Sequence, residues 1–168
     1  MTTVEVSLDD VRRVVEDVPD PELPVVTLGD LGIVRGVALG EGRVVVTVTP
    51  TYSGCPATEV IAREVVRAVE RLGLQAEVRT MLSPAWSTDW ITEHGLQAMR
   101  DNGIAPPSHT ATATGPVTVQ LGLRGPPPTC PRCASTSTEE VSRFGPTACT
   151  ALWRCLDCRE PFDHVRPL

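Results

Sequence analysis

Apolar residues recur at Leu8, Val11, Val14, Val15 and Val18, one face of a helix, with Ser7 and Asp10 placed to cap its start and Pro19 to stop it. After a Pro-rich turn the pattern changes to β-branched runs, Ile33 to Leu39 and Arg43 to Thr49, on either side of Gly40-Glu41-Gly42. That connection has hairpin chemistry, so the two runs are expected to pair antiparallel. Ala57, Ile61, Val65, Ala68, Val69 and Leu72 then return at helical spacing until Gly73, and Ala76 to Leu82 reads as a third strand. The order helix, strand, strand, helix, strand predicts an α+β layer with helices over one face of a small mixed sheet. A further short helix is expected over Thr92 to Asn102, after the bend Trp86-Ser87-Thr88-Asp89-Trp90.

From Ile104 to Thr129 the periodicity fails: Ala105-Pro106-Pro107-Ser108 and Gly125-Pro126-Pro127-Pro128 continue no helix and bury little. Val117 to Leu121 alternates like a short strand within this stretch. Beyond it stand two cysteine pairs, Cys130-Pro-Arg-Cys133 and Cys155-Leu-Asp-Cys158. Each Cys-x-x-Cys turn brings two sulfurs to one side of a bend, and two turns supply the four thiolates of a closed tetrahedral site. The expected organisation is an α+β domain over residues 1–104, a linker over 105–128 and a four-cysteine zinc-ribbon module over 129–168. Iron binds the same ligand set, and spacing alone does not separate the two metals. The first residues, Met1-Thr2-Thr3-Val4-Glu5, have neither the basic start nor the apolar run of a secretory signal, so a reducing, cytoplasmic setting is expected and disulfides are disfavoured. Cys149 reads as a small buried hydrophobe outside the site.

The formal net charge is −6, and with no lysine every cationic side chain is an arginine. None is gathered into a basic stripe, which argues against non-specific nucleic-acid binding. No apolar stretch approaches the length that spans a membrane. Cys55, between Gly54 and Pro56 at the expected start of the second helix, is placed where helix-end N–H groups and the macrodipole would stabilise a thiolate. Asp20, Glu22 and Asp30 add carboxylates in the preceding loops, although Asp and Pro are also ordinary turn formers. A thiol enzyme built on Cys55 needs a base, and His94, His109 and His164 are the chain's histidines.

The runs Asp20-Pro21-Glu22-Leu23-Pro24, Leu28-Gly29-Asp30-Leu31-Gly32-Ile33-Val34 and Thr49-Pro50-Thr51-Tyr52-Ser53-Gly54-Cys55-Pro56 resemble the signature of SufT-like iron-sulfur assembly factors. Adding Ser83-Pro84-Ala85-Trp86-Ser87-Thr88-Asp89-Trp90 and the four-cysteine ending, with Phe144 to Cys149 between its pairs, the chain along nearly its full length resembles the family of D subunits of bacterial phenylacetyl-CoA epoxidase systems. The resemblance implies a non-catalytic accessory role beside a multicomponent oxygenase of aerobic phenylacetate breakdown. Its partners would be a di-iron oxygenase subunit and a reductase carrying flavin and an iron-sulfur cluster. The chain itself has no pair of Glu-x-x-His motifs, no Gly-rich nucleotide loop and no plant-type ferredoxin spacing. Its implied task is to insert or repair a metal centre in those partners. Four ligands normally hold a cluster, and this domain offers only Cys55. A transient cluster would therefore be shared, at a homodimer seam or with a client protein. Trp153 and Phe162 are read either as a docking surface or as the ribbon's core. The competing readings are a Cys55 thiol enzyme and a zinc-ribbon nucleic-acid binder.

Overall fold

The computed structural model describes residues 6–52, 54–107 and 126–166. The strand expected over Val117 to Leu121 lies outside them. The chain divides into two compact units, Met1–Gly95 and Leu96–Leu168.

In the first unit, α1 (Leu8–Glu16) starts at a capping box: the Ser7 hydroxyl accepts from the Asp10 amide at 3.1 Å and the Asp10 carboxylate accepts from the Ser7 amide at 3.1 Å. Val11 and Val15 are its buried face. Strands β1 (Val34–Gly40) and β2 (Arg43–Val48) form the expected antiparallel hairpin, closed by the Gly40↔Arg43 pair. Glu41 and Gly42 both have positive φ, 33° and 80°, as a two-residue turn matched to strand twist requires. The chain crosses through α2 (Thr58–Glu70) and returns as β3 (Ala76–Thr80), parallel to β2, so the sheet is mixed in the order β1-β2-β3. A parallel return requires such a crossover.

Val44, Val46 and Val48 alternate onto the buried face of the sheet, and Ile61, Val65, Ala68 and Val69 of α2 are buried with them in the unit's core. The loop before β1 is locked by its own chemistry. The Trp86 indole donates to the Leu31 carbonyl at 2.7 Å. At Gly32 (φ +64°) a Cβ would stand 2.7 Å from Trp90, so any side chain there collides.

Helix α3 (Glu93–Asp101) precedes a four-stranded sheet, β4-β7-β6-β5, made of β4 (Ile104–Ala105), β5 (Thr138–Ser142), β6 (Thr150–Cys155) and β7 (Pro161–Val165). Ile104 and Ala105, at the start of the Pro-rich stretch, therefore belong to a sheet and pair in parallel with Asp163 and His164. Ala105, Cys130, Cys155 and Phe162 form the small core, with Trp153 packed against it.

His164 is buried in this unit, edge-on to Trp153 at 6.0 Å, and its Nε2 finds no hydrogen-bond partner among the described residues. Burial lowers its pKa to about 4 from the ordinary 6.5, against the opposing pull of Glu140. Between those values the unfolded chain binds a proton that the folded chain refuses, so stability falls as pH drops from 6.5 towards 4 and is unaffected above that window. The loss is on the order of 2–3 kcal/mol at the acid end. His164→Phe should flatten this slope. Melting temperatures of the two proteins across pH 4 to 7 test this, and parallel curves would refute it.

Candidate metal centre and Cys55

The two cysteine pairs sit in matching turns. Cys130 opens the first, where its amide donates to the Ser135 carbonyl at 2.9 Å, and Cys155 opens the second, where its amide donates to the Glu160 carbonyl at 3.0 Å. The residue after the second cysteine of each turn, Ala134 (φ 60°) and Arg159 (φ 62°), is left-handed. This repeated conformation is a sharp bend that folds each pair of sulfurs inward. A Ser135 to Asp157 hydrogen bond of 2.5 Å and a Leu156 amide to Ser137 carbonyl bond of 2.8 Å clamp one turn to the other. Cys130 and Cys155 are buried in the ribbon core, while Cys133 and Cys158 are exposed.

All four sulfurs lie within 4.8 Å of one another. A tetrahedron with metal–sulfur bonds of the zinc-thiolate length has edges of about 3.8 Å. The Cys130–Cys158 and Cys133–Cys155 sulfur separations are 3.8 and 3.5 Å, so these residues fit a four-thiolate ion. Their acidities agree. The Cys158 amide, with that of Asp157, holds Cys155 down to about 6. Cys133, despite the Ser135 amide that favours its thiolate, is pushed up to about 12 by the neighbouring Cys155 thiol, burial and the other two cysteines. Four thiolates crowded together need a cation to ionise together. All six cysteines are free, and Cys149 stands outside this group, its sulfur 3.3 Å from the Thr147 hydroxyl. Phe162 is buried, so it serves the core and is not available for docking.

Cys55 differs from its expectation. The helix begins at Thr58, with Ala57 as its cap residue, so Pro56 is not in the first turn and the thiol lies before the helix end. The Cys55 amide bonds to the Tyr52 carbonyl, and its carbonyl accepts from the Thr58 amide and hydroxyl. Burial raises the thiol pKa, and although the Ala57 amide and Thr58 hydroxyl pull it down, the negative charges of Glu22 and Asp20 raise it further. The sulfur is a protonated thiol at neutral pH, not a stabilised thiolate.

Asp20 and Glu22 thus act on Cys55 through their charge. Asp20 is buried, its Oδ1 accepts from the Glu22 and Leu23 amides at 2.9 and 2.8 Å, and burial raises its pKa. Asp30 serves elsewhere: its carboxylate takes the Thr92 hydroxyl at 2.9 Å, the His94 ring at 2.8 Å and the Thr27 amide at 3.1 Å. Burial alone would raise its carboxyl, but the bonds from His94, Thr27 and Thr92 outweigh it and hold the group below the usual range. The His94–Asp30 pair spans 64 residues of sequence, and no local pattern pointed to it. Among the described residues the four ribbon cysteines are the group placed to hold a metal, so Cys55 has no preassembled ligand set around it.

Residues 8–80 match the family model described as iron-sulfur cluster assembly protein, and residues 114–166 match the PaaD zinc beta ribbon domain. An Escherichia coli (strain K12) protein that bears the name of the 1,2-phenylacetyl-CoA epoxidase D subunit is 44% identical over 160 residues, 94% of this chain and 91% of its own. The chain belongs to the family of phenylacetyl-CoA epoxidase D subunits. In this chain the ribbon match follows an N-terminal match that is shared with shorter relatives. An Fe-S protein maturation auxiliary factor of Porphyromonas gingivalis (strain ATCC BAA-308 / W83) is 34% identical over 52% of this chain and 86% of its own. The crystal structure of a DUF59 domain of unknown function from Bacillus anthracis superposes with a TM-score of 0.51 and 28% identity, covering 55% of this chain and 90% of that one. No helix among the described residues of this D-subunit relative is long and apolar enough to cross a membrane.

Proposed function

We propose that this chain is a non-catalytic maturation factor for the phenylacetyl-CoA epoxidase, acting in the cytoplasm to help assemble an iron-containing centre in a partner subunit. The observation that carries the reading is the union, in one chain, of an assembly-type domain with an epoxidase-specific ribbon, matched over nearly its whole length. The four-cysteine site takes zinc and staples the ribbon, with no open coordination position for chemistry. Cys55 supplies one thiolate to iron or a cluster in transit, and the client supplies the remaining ligands.

The electrostatics of Cys55 support capture of a cation over nucleophilic catalysis. Burial and the Asp20 and Glu22 charges disfavour a bare thiolate, yet the same carboxylates attract a metal ion that takes the sulfur and releases its proton. A sulfur ligand of this kind, with no second ligand built beside it, binds loosely enough to give its cargo up. The client is the reductase cluster, with the di-iron site as the other candidate.

Timing tests this reading. Epoxidase made without this chain should have little activity, and chemical reconstitution of its iron centres should restore most of it without adding the protein back. Removing the chain from an assay of loaded partners should change turnover by less than about twofold, a small effect on the scale of a lost catalytic group. A stoichiometric requirement at every turnover with fully loaded partners would instead describe an electron-transfer or catalytic subunit.

A further inference from the structure

The first unit's sheet ends at β3, whose outer edge pairs with no strand among the described residues. Beside it runs a groove of about 430 Å³, floored by Ala62, Val66 and Val78 and rimmed by Arg63, Arg67 and Glu70. The β2–β3 register is unbroken from Val44↔Ala76 to Val48↔Thr80, whereas β1 at the opposite edge carries an irregularity between Val34 and Gly36. No bulge or proline blunts β3, and its two charged residues, Glu77 and Arg79, pair with one another at 2.6 Å.

The hydrogen bonds of β3 say which of its residues face outward. The Val44 amide bonds to the Gln75 carbonyl and the Met81 amide to the Val48 carbonyl, so odd-numbered residues of β3 turn their backbone groups to β2. Alternation leaves the amides and carbonyls of Ala76, Val78 and Thr80 pointing to the open edge. We propose that this edge and groove are the interface of a homodimer, in which β3 of one copy pairs antiparallel with β3 of the second about a two-fold axis at Val78.

The sequence around that axis is self-complementary. Val78 exchanges both backbone bonds with the second copy's Val78, and Ala76 does so with the second copy's Thr80. Glu77 comes opposite the second copy's Arg79, and Arg79 opposite its Glu77, opposite charges on one face of the joined sheet. The axis at Val78 passes beside Val66 of α2, since both line the groove. The two α2 helices then run antiparallel, Ala62 and Val66 cover one another, and Arg63 faces the second copy's Glu70. Neither Arg63 nor Glu70 has an ion-pair partner among the described residues. An isologous contact needs this reciprocity, and an unrelated partner would not. In this dimer the starts of the two α2 helices stand on the order of 25 Å apart, from the rise per residue between Val66 and Thr58. The Cys55 thiols therefore cannot share one cluster, and each stays open to its own client.

Sedimentation equilibrium of the zinc-loaded full chain, over a micromolar concentration series, tests the interface. The wild type should dimerise. Arg63→Glu and Glu70→Arg each place like charges across the axis and should weaken the dimer at least roughly tenfold. The double variant Arg63→Glu, Glu70→Arg exchanges the charges and should recover wild-type affinity. Circular dichroism should be unchanged in all three variants. A wild type that stays monomeric, single variants that dimerise like the wild type, or a double variant no better than the singles would each overturn the proposal.

Discussion

Cys130→Ser is expected to release the metal and unfold residues 129–166 while the unit Met1–Gly95 keeps its structure. Cys130 is at once a ligand in the four-sulfur cluster and one of the four residues of the ribbon's buried core, beside Ala105, Cys155 and Phe162. A core that small cannot offset the entropy of ordering this segment, so the metal must contribute most of the stability. In zinc-finger peptides the apparent binding energy is about 10–16 kcal/mol and appears directly as folding energy. Removing one of four thiolates forfeits much of that and leaves three sulfurs that repel one another. Elemental analysis should give about one zinc per wild-type chain and far less in the variant, a stoichiometry set by a single four-thiolate site. Amide exchange should collapse to unprotected values across β4 to β7, while the unit Met1–Gly95 keeps its protection. A metal-free ribbon with native protection would contradict the account.

Cys55→Ala should do the reverse, losing function while keeping the fold. What holds this segment is backbone and threonine chemistry: the Cys55 amide on Tyr52, and the Thr58 amide and hydroxyl on the Cys55 carbonyl. An alanine retains every one of those bonds. Its cost to stability should be within about 1 kcal/mol, the usual range for a half-buried side chain with no strong partner. Zinc content should be unchanged, since the four ribbon cysteines are untouched. The capacity to support epoxidase activity in cells living on phenylacetate should fall at least tenfold, a difference of about 1.4 kcal/mol in whatever step the sulfur serves. Because burial, Glu22 and Asp20 keep the wild-type thiol protonated, iron capture by purified protein should strengthen as pH rises above neutral, and the variant should show no such dependence. Wild-type support from Cys55→Ala would make the sulfur a mere space-filler.

The elements that sequence reading recovers are those with strong local periodicity. Ser7 and Asp10 announce α1, the pair Glu41 and Gly42 announces the hairpin, and the valines of β2 alternate cleanly onto one face. The four-cysteine centre is legible because each half is a local turn and thiolate chemistry admits few other uses. What escaped depends on contacts that local pattern does not encode. The Cys-Pro pair looks like a helix start, but the Tyr52–Cys55 and Cys55–Thr58 turns delay the helix to Thr58, and burial then reverses the expected acidity of the thiol. Asp30 reads as one more loop carboxylate near Cys55 until the fold turns it towards Thr92 and His94. Ile104 and Ala105 look like linker because a two-residue strand has no period to detect, and only β7 gives them a partner.

The central claim, that this chain loads a metal centre in a partner, is tested most directly by the iron and acid-labile sulfide content of the epoxidase subunits. The oxygenase and reductase should be purified from cells that make them with the wild-type chain, with Cys55→Ala, or with neither. The account predicts full iron with the wild type, and a folded partner deficient in iron to the same degree in the other two. Partners that carry full iron and sulfide in all three preparations would contradict it.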